Sequence, residues 1–244
     1  MKPTWIVLTT SIFLCASTVQ ADFIGLNIGA NHWAPALTGS FNSSGNDSIS
    51  LKSLSLDDPS QTSLSLIFEH PVPFLPNIKF QGFDLDSSGV SDLSNVQFND
   101  TTFGADTRST LDLSHNEIAL YYEVLDNWIN LDVGIDLKRF DGEASLSSGT
   151  SSERIDIDET IPLLYLSARF DLPFTGFYVG ADFNNLSIGD NSIEDSTLKL
   201  GFESSYGLGI EGGLKVFSLK LDDVENLDTD LEYDGLFLNG YYHF

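Results

Sequence analysis

Histidine and carboxylate side chains are the groups of this sequence that could act as general acids and bases. His115 follows Ser114 directly and lies three residues after Asp112. Neighbouring strand residues point to opposite faces, so Ser114 and His115 can cooperate only where a strand is irregular. The apolar alternation changes phase between Leu113 and Ile118, which predicts a β-bulge there. A hydrolase that uses His115 with a carboxylate such as Asp112 is therefore one alternative function.

Acidic residues are concentrated in stretches predicted to be loops. Such oxygen ligands could bind Ca²⁺ or Mg²⁺, whereas the alternative is a solvated, self-repelling surface. The two densest groups are Asp222, Asp223, Glu225, Asp228, Asp230, Glu232 and Asp234, and Asp156, Asp158 and Glu159. Residues 230–241 do not form a calcium loop, because Glu232 occupies the third position and Tyr241 replaces the closing Glu. We therefore expect divalent cations at these outer acids at most, and no dedicated metal site.

Residues 207–212 match the G-x-G-x-x-G motif of dinucleotide-binding proteins. That motif functions between a strand and a helix, but here the alternation of a strand continues through it. The glycines are better explained as relief of crowding in a curved strand. The formal charge of −25, from 36 acidic and 11 basic residues, also argues against nucleic-acid binding, which needs clustered Lys and Arg. We predict neither a cofactor nor a nucleic-acid partner.

Residues 1–21 have the pattern of a cleaved signal peptide. Lys2 precedes an apolar run from Trp5 to Ala16, and the segment ends in Val19-Gln20-Ala21. The single cysteine, Cys15, lies inside this segment, so the mature chain is predicted to form no disulfide bond. We expect export and a single domain over residues 22–244.

The rest of the chain alternates between apolar and polar residues with a period of two, which is typical of strands. A clear example is the apolar series Ile129, Leu131, Val133, Ile135 and Leu137. A soluble sandwich would turn such a face inward, whereas a transmembrane barrel would turn it toward lipid. Short connections alternate along the chain with long acidic ones, which are predicted at about 34–60, 87–107, 141–158, 189–195 and 222–231. This alternation favours the barrel.

We predict an all-β fold, a transmembrane antiparallel up-and-down β-barrel of about ten strands. The predicted strands are 22–33, 61–70, 76–86, 109–125, 127–140, 160–172, 175–188, 195–205, 207–221 and 231–244. Residues 34–60 are the weakest part, because Leu37–Phe41 and Ile49–Leu56 could pair as an outer hairpin or form two more strands. Twelve strands and eight strands are the alternatives.

The C-terminus resembles the strand by which bacterial outer-membrane barrels are recognised for assembly. Its outward residues are Leu236, Leu238, Tyr242 and Phe244. The stretches 68–81, 120–143, 168–182, 203–213 and 219–233 also resemble a family of small proteobacterial outer-membrane β-barrels with no assigned activity. The resemblance implies an outer-membrane location, with lipid, lipopolysaccharide and the barrel assembly machinery as partners. It supplies no catalytic residues.

The polar faces of the strands predict a charged lumen. The basic residues on these faces are Lys79, Lys138, Arg169, Lys199 and Lys215, and the acidic ones are Glu69, Glu117, Glu123, Asp132, Asp136, Asp182, Glu203 and Glu211. A ten-stranded barrel is only slightly wider than one that its own side chains fill. We expect ion pairs across the lumen, with a structural role or slow passage of small solutes or cations. Besides the His115 hydrolase, the other alternative is a surface protein that contacts lipopolysaccharide through its acidic loops.

Overall fold

The computed structural model describes residues 24–43, 48–93, 95–99, 101–224 and 227–244. The side chains of Ser43, Asp223, Val224 and Leu227 lie outside this description. The predicted signal peptide and Glu225 also lie outside the described residues. No helix in the part that is described has the length and apolar character needed to cross a membrane.

The described chain is almost entirely strand. In chain order the elements are β1 (Gly25–Ser43), β2 (Ile49–Ser50), α1 (Leu51–Leu54), β3 (Gln61–Glu69), β4 (Asn77–Phe83), β5 (Asp86–Ser91), β6 (Val96–Phe98), β7 (Thr101–Phe103), β8 (Thr107–Asp112), β9 (His115–Leu125), β10 (Ile129–Phe140), β11 (Gly142–Ser148), β12 (Ser151–Ile157), β13 (Thr160–Asp171), β14 (Phe177–Ile188), β15 (Asn191–Glu203), β16 (Leu208–Val224) and β17 (Leu227–His243).

Ten of these strands form a closed antiparallel barrel. Their order around the wall is β1, β3, β4, β9, β10, β13, β14, β15, β16 and β17, and the pairing of β17 with β1 closes the ring. That closing register runs from Asn27↔His243 to Ser43↔Leu227. The predicted fold class and the predicted number of ten strands are confirmed.

The outer face of the barrel is apolar. One exposed residue from each strand is Ile28, Leu66, Phe80, Ile118, Ile135, Leu164, Val179, Leu198, Ile210 and Leu238, each between 41% and 61% exposed. A soluble sandwich would bury these side chains together. A closed wall with this apolar belt instead matches a membrane-spanning barrel, in which every backbone group is paired and the apolar face meets lipid.

One rim of the barrel has short turns, at residues 70–76, 126–128, 172–176 and 204–207. We call it the short-turn end, and the opposite rim the long-loop end. In bacterial barrels short turns face the periplasm and long loops face outward.

The predicted loops at 87–107 and 141–158 are folded in the structure, and their assignment as loops was wrong. They form much of a four-stranded sheet, in the order β12-β11-β8-β5, beyond the long-loop end, which we call the outer sheet. β6 and β7 add a separate hairpin. Loop length and acidity do not reveal this sheet, because its strands are short and rich in Ser, Thr and Gly.

Residues 34–60 extend the wall instead of adding barrel strands. β1 continues to Ser43 and turns back to β2 through the pair Phe41↔Ile49, followed by the single helical turn α1. The outer-hairpin alternative is therefore the correct one for the first part. The predicted loop at 222–231 was too long, because β16 reaches Val224 and β17 begins at Leu227.

The predicted strand 109–125 is divided in two. β8 belongs to the outer sheet and β9 to the barrel, with Leu113 and Ser114 between them. Ser114 N donates to Asp112 Oδ1 at 2.8 Å, and Asp141 N donates to Ser114 O. The change in the phase of the apolar alternation, which predicted a β-bulge, therefore marks a break between two sheets.

An apolar core fills the long-loop end. Its most buried members are Trp33, Leu54, Leu85, Phe98, Phe103, Leu113, Phe140, Leu146, Phe217 and Tyr233. They come from the inner wall near the long-loop end, from α1, from the β6–β7 hairpin, from the outer sheet, and from the links between the barrel and the outer sheet. The inner wall is thus dry at the long-loop end and polar toward the short-turn end.

Candidate functional site

The structure places the twelve predicted lumen residues on the inner wall. Nine line two connected regions of the lumen toward the short-turn end: Lys79, Glu123, Asp132, Arg169, Asp182, Lys199, Glu203, Glu211 and Lys215. The other three, Glu117, Asp136 and Lys138, are buried deeper in the lumen. Period-two alternation positions all of them, because every second residue of a barrel strand points inward.

A buried group of five charges crosses the lumen beneath the apolar core. We call it the lumen charge cluster, and its members are Glu117, Asp136, Lys138, Asp195 and Lys215. Lys138 is fully buried, and its Nζ donates to Glu117 and, at 2.9 Å, to Asp195 Oδ2. Asp136 Oδ2 lies 3.6 Å from the same nitrogen, and Lys215 donates to Asp195. The five residues come from two pairs of neighbouring strands, β9 with β10 and β15 with β16. Their contacts therefore link two separate parts of the wall across the lumen.

Aromatic rings lie directly on this cluster. His115 stacks on Phe83 with ring centroids 5.0 Å apart, and Phe140 and Phe217 lie 4.9 and 5.5 Å from it. Lys215 Nζ is 4.8 Å from the Phe83 ring centroid and 5.5 Å from that of Trp33. We call these five rings the aromatic lid. Trp33, Phe83, Phe140 and Phe217 also belong to the apolar core, so the lid is where the charge cluster meets that core.

A second polar layer lies between the cluster and the short-turn end. Arg169 stacks on Tyr178 at 3.8 Å and contacts Asp171 at 2.8 Å and Glu203 at 3.4 Å. Tyr178 in turn donates to Glu211 at 2.7 Å. The layer is completed by the Lys199–Asp182 pair at 2.9 Å, the Ser167–Asp182 bond and the Tyr241–Glu203 bond. These contacts satisfy charges that would be costly to bury alone.

The short-turn end opens into a cavity of about 410 Å³, which we call the vestibule. A smaller space of about 150 Å³ lies deeper in the lumen. The vestibule is lined by five carboxylates, Glu69, Glu123, Asp126, Asp132 and Glu203, and by three basic residues, Lys79, Arg169 and Lys199. Among the described residues, the vestibule therefore carries more carboxylates than Lys and Arg side chains.

The geometry does not assemble a hydrolase around His115. The side chain was expected at the rim, but it is 4% exposed and enclosed by the aromatic lid. Its Nδ1 lies 2.8 Å from Leu113 O and its Nε2 lies 3.3 Å from Glu117. Ser114, on the opposite face, instead contacts Asp84 and accepts a bond from Leu85 N. A substrate therefore has no access to this ring.

The outer acids are spread out, not converged. On β17, Asp230, Glu232 and Asp234 alternate with buried residues along one exposed face, so successive carboxylates are about 7 Å apart. Asp156 pairs with Arg154 and Asp158 with Arg139. Among the described residues no group of three or more acidic or histidine side chains is placed to hold a metal ion.

The outer sheet carries a row of facing acids. Asp86 lies opposite Asp112, which lies opposite Glu143, which lies opposite Asp156. Partial burial, followed by the charges of Asp112, Asp84 and Glu143, raises the pKa of Asp86 above its usual range. Arg154 contacts both Glu143 and Asp156, and its pKa is raised by these partners. Only one side of the row is therefore neutralised by a close base.

Sequence reasoning missed Asp195 and most of the aromatic lid. Asp195 has the inward parity of Lys199 and Glu203, but it stood at a predicted strand boundary. The lid had a signal in the sequence: on three of the inward faces the polar series leads to an aromatic residue. Lys79 leads to Phe83, Lys138 to Phe140, and Lys215 to Phe217.

The four residues of the predicted assembly signal lie on the outer face of β17. Leu236, Leu238, Tyr242 and Phe244 are between 42% and 69% exposed. Phe244 N donates to Leu26 O at 2.8 Å, which completes the seam between the two ends of the chain.

The closed ten-stranded wall, the apolar belt and the charged interior define an integral outer-membrane β-barrel. No family model matches the sequence, and no curated protein matches it. The family-level resemblance therefore remains a prediction, whereas the barrel fold that it implied is confirmed.

Solved structures with a similar architecture belong to bacterial barrels. The outer membrane protease OmpT from Escherichia coli is 12% identical, with 89% of this chain and 97% of that chain covered and a TM-score of 0.46. A FadL homologue from Pseudomonas aeruginosa is 9% identical, with 91% and 90% covered and a TM-score of 0.34. OccK3 (OpdO) from P. aeruginosa is 12% identical, with 91% and 95% covered and a TM-score of 0.25. No ligand or activity is transferred from these proteins.

Proposed function

We propose that this protein is a closed outer-membrane barrel with a structural role, whose lumen does not conduct in its resting state. The observation that carries the proposal is the lumen charge cluster beneath the aromatic lid. Fully buried Lys138 joins carboxylates from three other strand positions, Glu117, Asp136 and Asp195. An ion that crossed the lumen would have to separate these pairs in a low-dielectric environment, which costs several kcal/mol.

The lid adds a second barrier in series. Trp33, Phe83, His115, Phe140 and Phe217 lie between the cluster and the long-loop end. Apolar constrictions exclude water and thereby block ions. The apolar core and the outer sheet lie beyond the lid, toward the long-loop end. The closed lumen thus lies beneath a folded structure on the outer surface.

Planar-bilayer recording of the purified barrel tests this proposal. We expect the wild type to show no discrete conductance steps. The double variant Phe83→Ala, Phe217→Ala removes two of the five rings of the lid and should produce small steps that favour cations. Phe80→Ala changes a lipid-facing residue of the same strand and should remain silent. Discrete steps in the wild type would contradict a closed barrel.

Slow passage of small cations is the second candidate function, and the acidic vestibule is the observation that favours it. Glu123, Asp126 and Asp132 line the vestibule with a net excess of carboxylates. Cation-biased steps in the wild type, reduced in Glu123→Gln with Asp132→Asn, would support this candidate over the structural one.

A further inference from the structure

An apolar cavity lies within the apolar core at the long-loop end, and Phe140 of the aromatic lid is part of its lining. Its volume is about 420 Å³, which lies within the range of small-molecule pockets, roughly 300–1,000 Å³. Most of its lining is aliphatic or aromatic. The lining comes from the outer sheet, through Leu111, Ala144 and Ile157, and from the barrel wall, through Ile161, Leu219 and Leu231. Neither the lumen charge cluster nor the vestibule contributes to it.

The wall beside this cavity is unpaired. The ladder between β13 and β14 ends at Leu164↔Asn185. β13 nevertheless continues to Thr160, paired with β10, and β14 continues to Ile188, paired with β15. Residues 160–163 and 186–188 therefore lie side by side without a shared ladder, and we call this interruption of the ladder the gap.

Pro162 gives this gap a local cause. It lies in the unpaired stretch of β13, and proline has no amide hydrogen to donate to a neighbouring strand. The next outward-facing residue toward the short-turn end is Leu164, a member of the apolar belt. Ile161, also in the stretch, lines the cavity. On its β13 side the gap therefore borders the cavity at Ile161, next to the outer edge of the apolar belt.

The cavity contains one polar group without a partner. Thr229 lines it, is 6% exposed, and its Oγ1 has no hydrogen-bond partner among the described residues. A buried hydroxyl without a partner costs free energy, so a ligand with its own hydroxyl group would remove that cost.

The charged residues at the cavity are acidic. Asp156 and Glu159 are part of its lining, and no basic residue is. Asp156 pairs with Arg154, whereas Glu159 is an exposed acid at the edge of the lining for which no ion pair with a basic residue is seen among the described residues. An anionic head group would be repelled here, whereas a neutral or cationic one would not.

We propose that this cavity binds the alkyl chain of a neutral amphiphile, such as a medium-chain alcohol, which reaches it through the gap between β13 and β14. The chain packs against the aliphatic lining, and the hydroxyl group of the ligand bonds Thr229 Oγ1. Fatty acids and other anionic amphiphiles are disfavoured by Glu159 and Asp156. The proposal is independent of whether the lumen conducts.

The test uses the full barrel in lipid nanodiscs and the neutral fluorophore N-phenyl-1-naphthylamine, with empty nanodiscs of the same lipid as background. We expect saturable binding that 1-decanol and decylamine displace. Decanesulfonate should be at least about tenfold weaker, which corresponds to about 1.4 kcal/mol. Equal displacement by decanol and decanesulfonate would overturn the assignment of an acid-bounded site.

Two variants locate the binding. Ala144→Phe fills the cavity and should weaken fluorophore binding at least about tenfold, whereas Ser147→Phe, on the opposite face of β11, should bind as the wild type does. Unchanged binding in a folded Ala144→Phe variant would overturn the proposal.

Thr229→Val keeps the side-chain volume and is used if Ala144→Phe does not fold. It should weaken displacement by decanol about fivefold, the value of one neutral hydrogen bond, and leave fluorophore binding unchanged. Equal decanol affinity in Thr229→Val and wild type would contradict the assigned role of the hydroxyl group.

Discussion

At the scale of single residues, Lys138 is the side chain on which the closed lumen depends most. It is fully buried and contacts three carboxylates, Glu117, Asp136 and Asp195. A buried ion pair adds little net stability when it is intact, but the loss of one partner leaves charges without compensation. Closure and stability of the barrel are therefore coupled at this residue.

Lys138→Met should lower the free energy of unfolding by about 3–5 kcal/mol, because three buried carboxylates would keep Lys215 as their only close ammonium partner in the cluster. The measurement is urea unfolding of the refolded barrel in lipid vesicles, followed by tryptophan fluorescence. Lys220→Met makes the same change at an exposed position of β16 and should stay within about 0.5 kcal/mol. Equal losses in both variants would show that the cluster has no special role.

Asp86 should make the outer sheet more stable at acidic pH. Its pKa is raised in the folded protein, first by partial burial and then by Asp112, Asp84 and Glu143. The folded state therefore holds the proton more tightly than the unfolded chain, and stability falls as the pH rises through the raised pKa.

Asp86→Asn should raise stability at pH 7 by about 0.5 kcal/mol, a value reduced by solvent screening of this exposed group, and the gain should vanish near pH 4. Thermal unfolding midpoints at the two pH values measure this difference. Asp190→Asn, in the turn between β14 and β15, serves as the control. A gain that is equal at both pH values would mean that the effect does not come from ionisation.

At the scale of elements, glycines of β15 and β16 accommodate tyrosine rings of their neighbours inside the wall. Gly201 lies opposite Tyr178, and Gly209 lies opposite Tyr241. A Cβ at either glycine would overlap the facing ring. Of the G-x-G-x-x-G match, Gly209 and Gly212 thus lie in a barrel strand as predicted, whereas Gly207 lies in the preceding turn with a φ of +80°.

Gly209→Ala should destabilise the barrel by about 1–3 kcal/mol, because the Tyr241 ring must move and its bond to Glu203 weakens. Gly240→Ala is the matched control, since nothing lies within 4 Å of a Cβ at that position. Heat-dependent mobility and urea unfolding of the two variants give the comparison. Equal stability of both variants would exclude this packing role.

The barrel strands could be predicted from the sequence because a lipid-facing wall imposes strict alternation. The inward position of Lys138, Asp182 or Glu211 follows from that parity alone. The outer sheet could not be predicted, because its strands are short and its contacts link residues far apart, as in Asp112 with Glu143. The contacts within the lumen could not be predicted either. Alternation shows that the Lys138 side chain points inward, but not which carboxylate of another strand it contacts.

At the scale of the whole molecule, the long strands β16 and β17 carry acids just beyond the apolar belt. Glu232 and Asp234 are exposed on the same face as Leu236. Mg²⁺ and Ca²⁺ take carboxylate oxygens as ligands and could therefore bridge these side chains to lipopolysaccharide. We propose such contacts as the means by which the acidic outer surface engages the membrane.

Glu232→Gln with Asp234→Asn should reduce the lipopolysaccharide retained by the purified barrel in Mg²⁺ to the level seen after chelation. Glu123→Gln with Asp126→Asn removes the same charge at the short-turn end and should leave retention unchanged. Quantitative recovery of lipopolysaccharide with the protein is the measurement. Retention that is insensitive to chelation in the wild type would contradict a cation bridge.

The pairing of β1 with β17 places residues 26 and 244 within one backbone hydrogen bond of each other. A short linker between these positions would therefore let the chain be circularly permuted, with new termini opened at the turn 189–190. The barrel wall of such a permutant would be the same, but a different strand would be synthesised last. It would thus separate what the order of synthesis contributes to barrel formation from what the finished architecture requires.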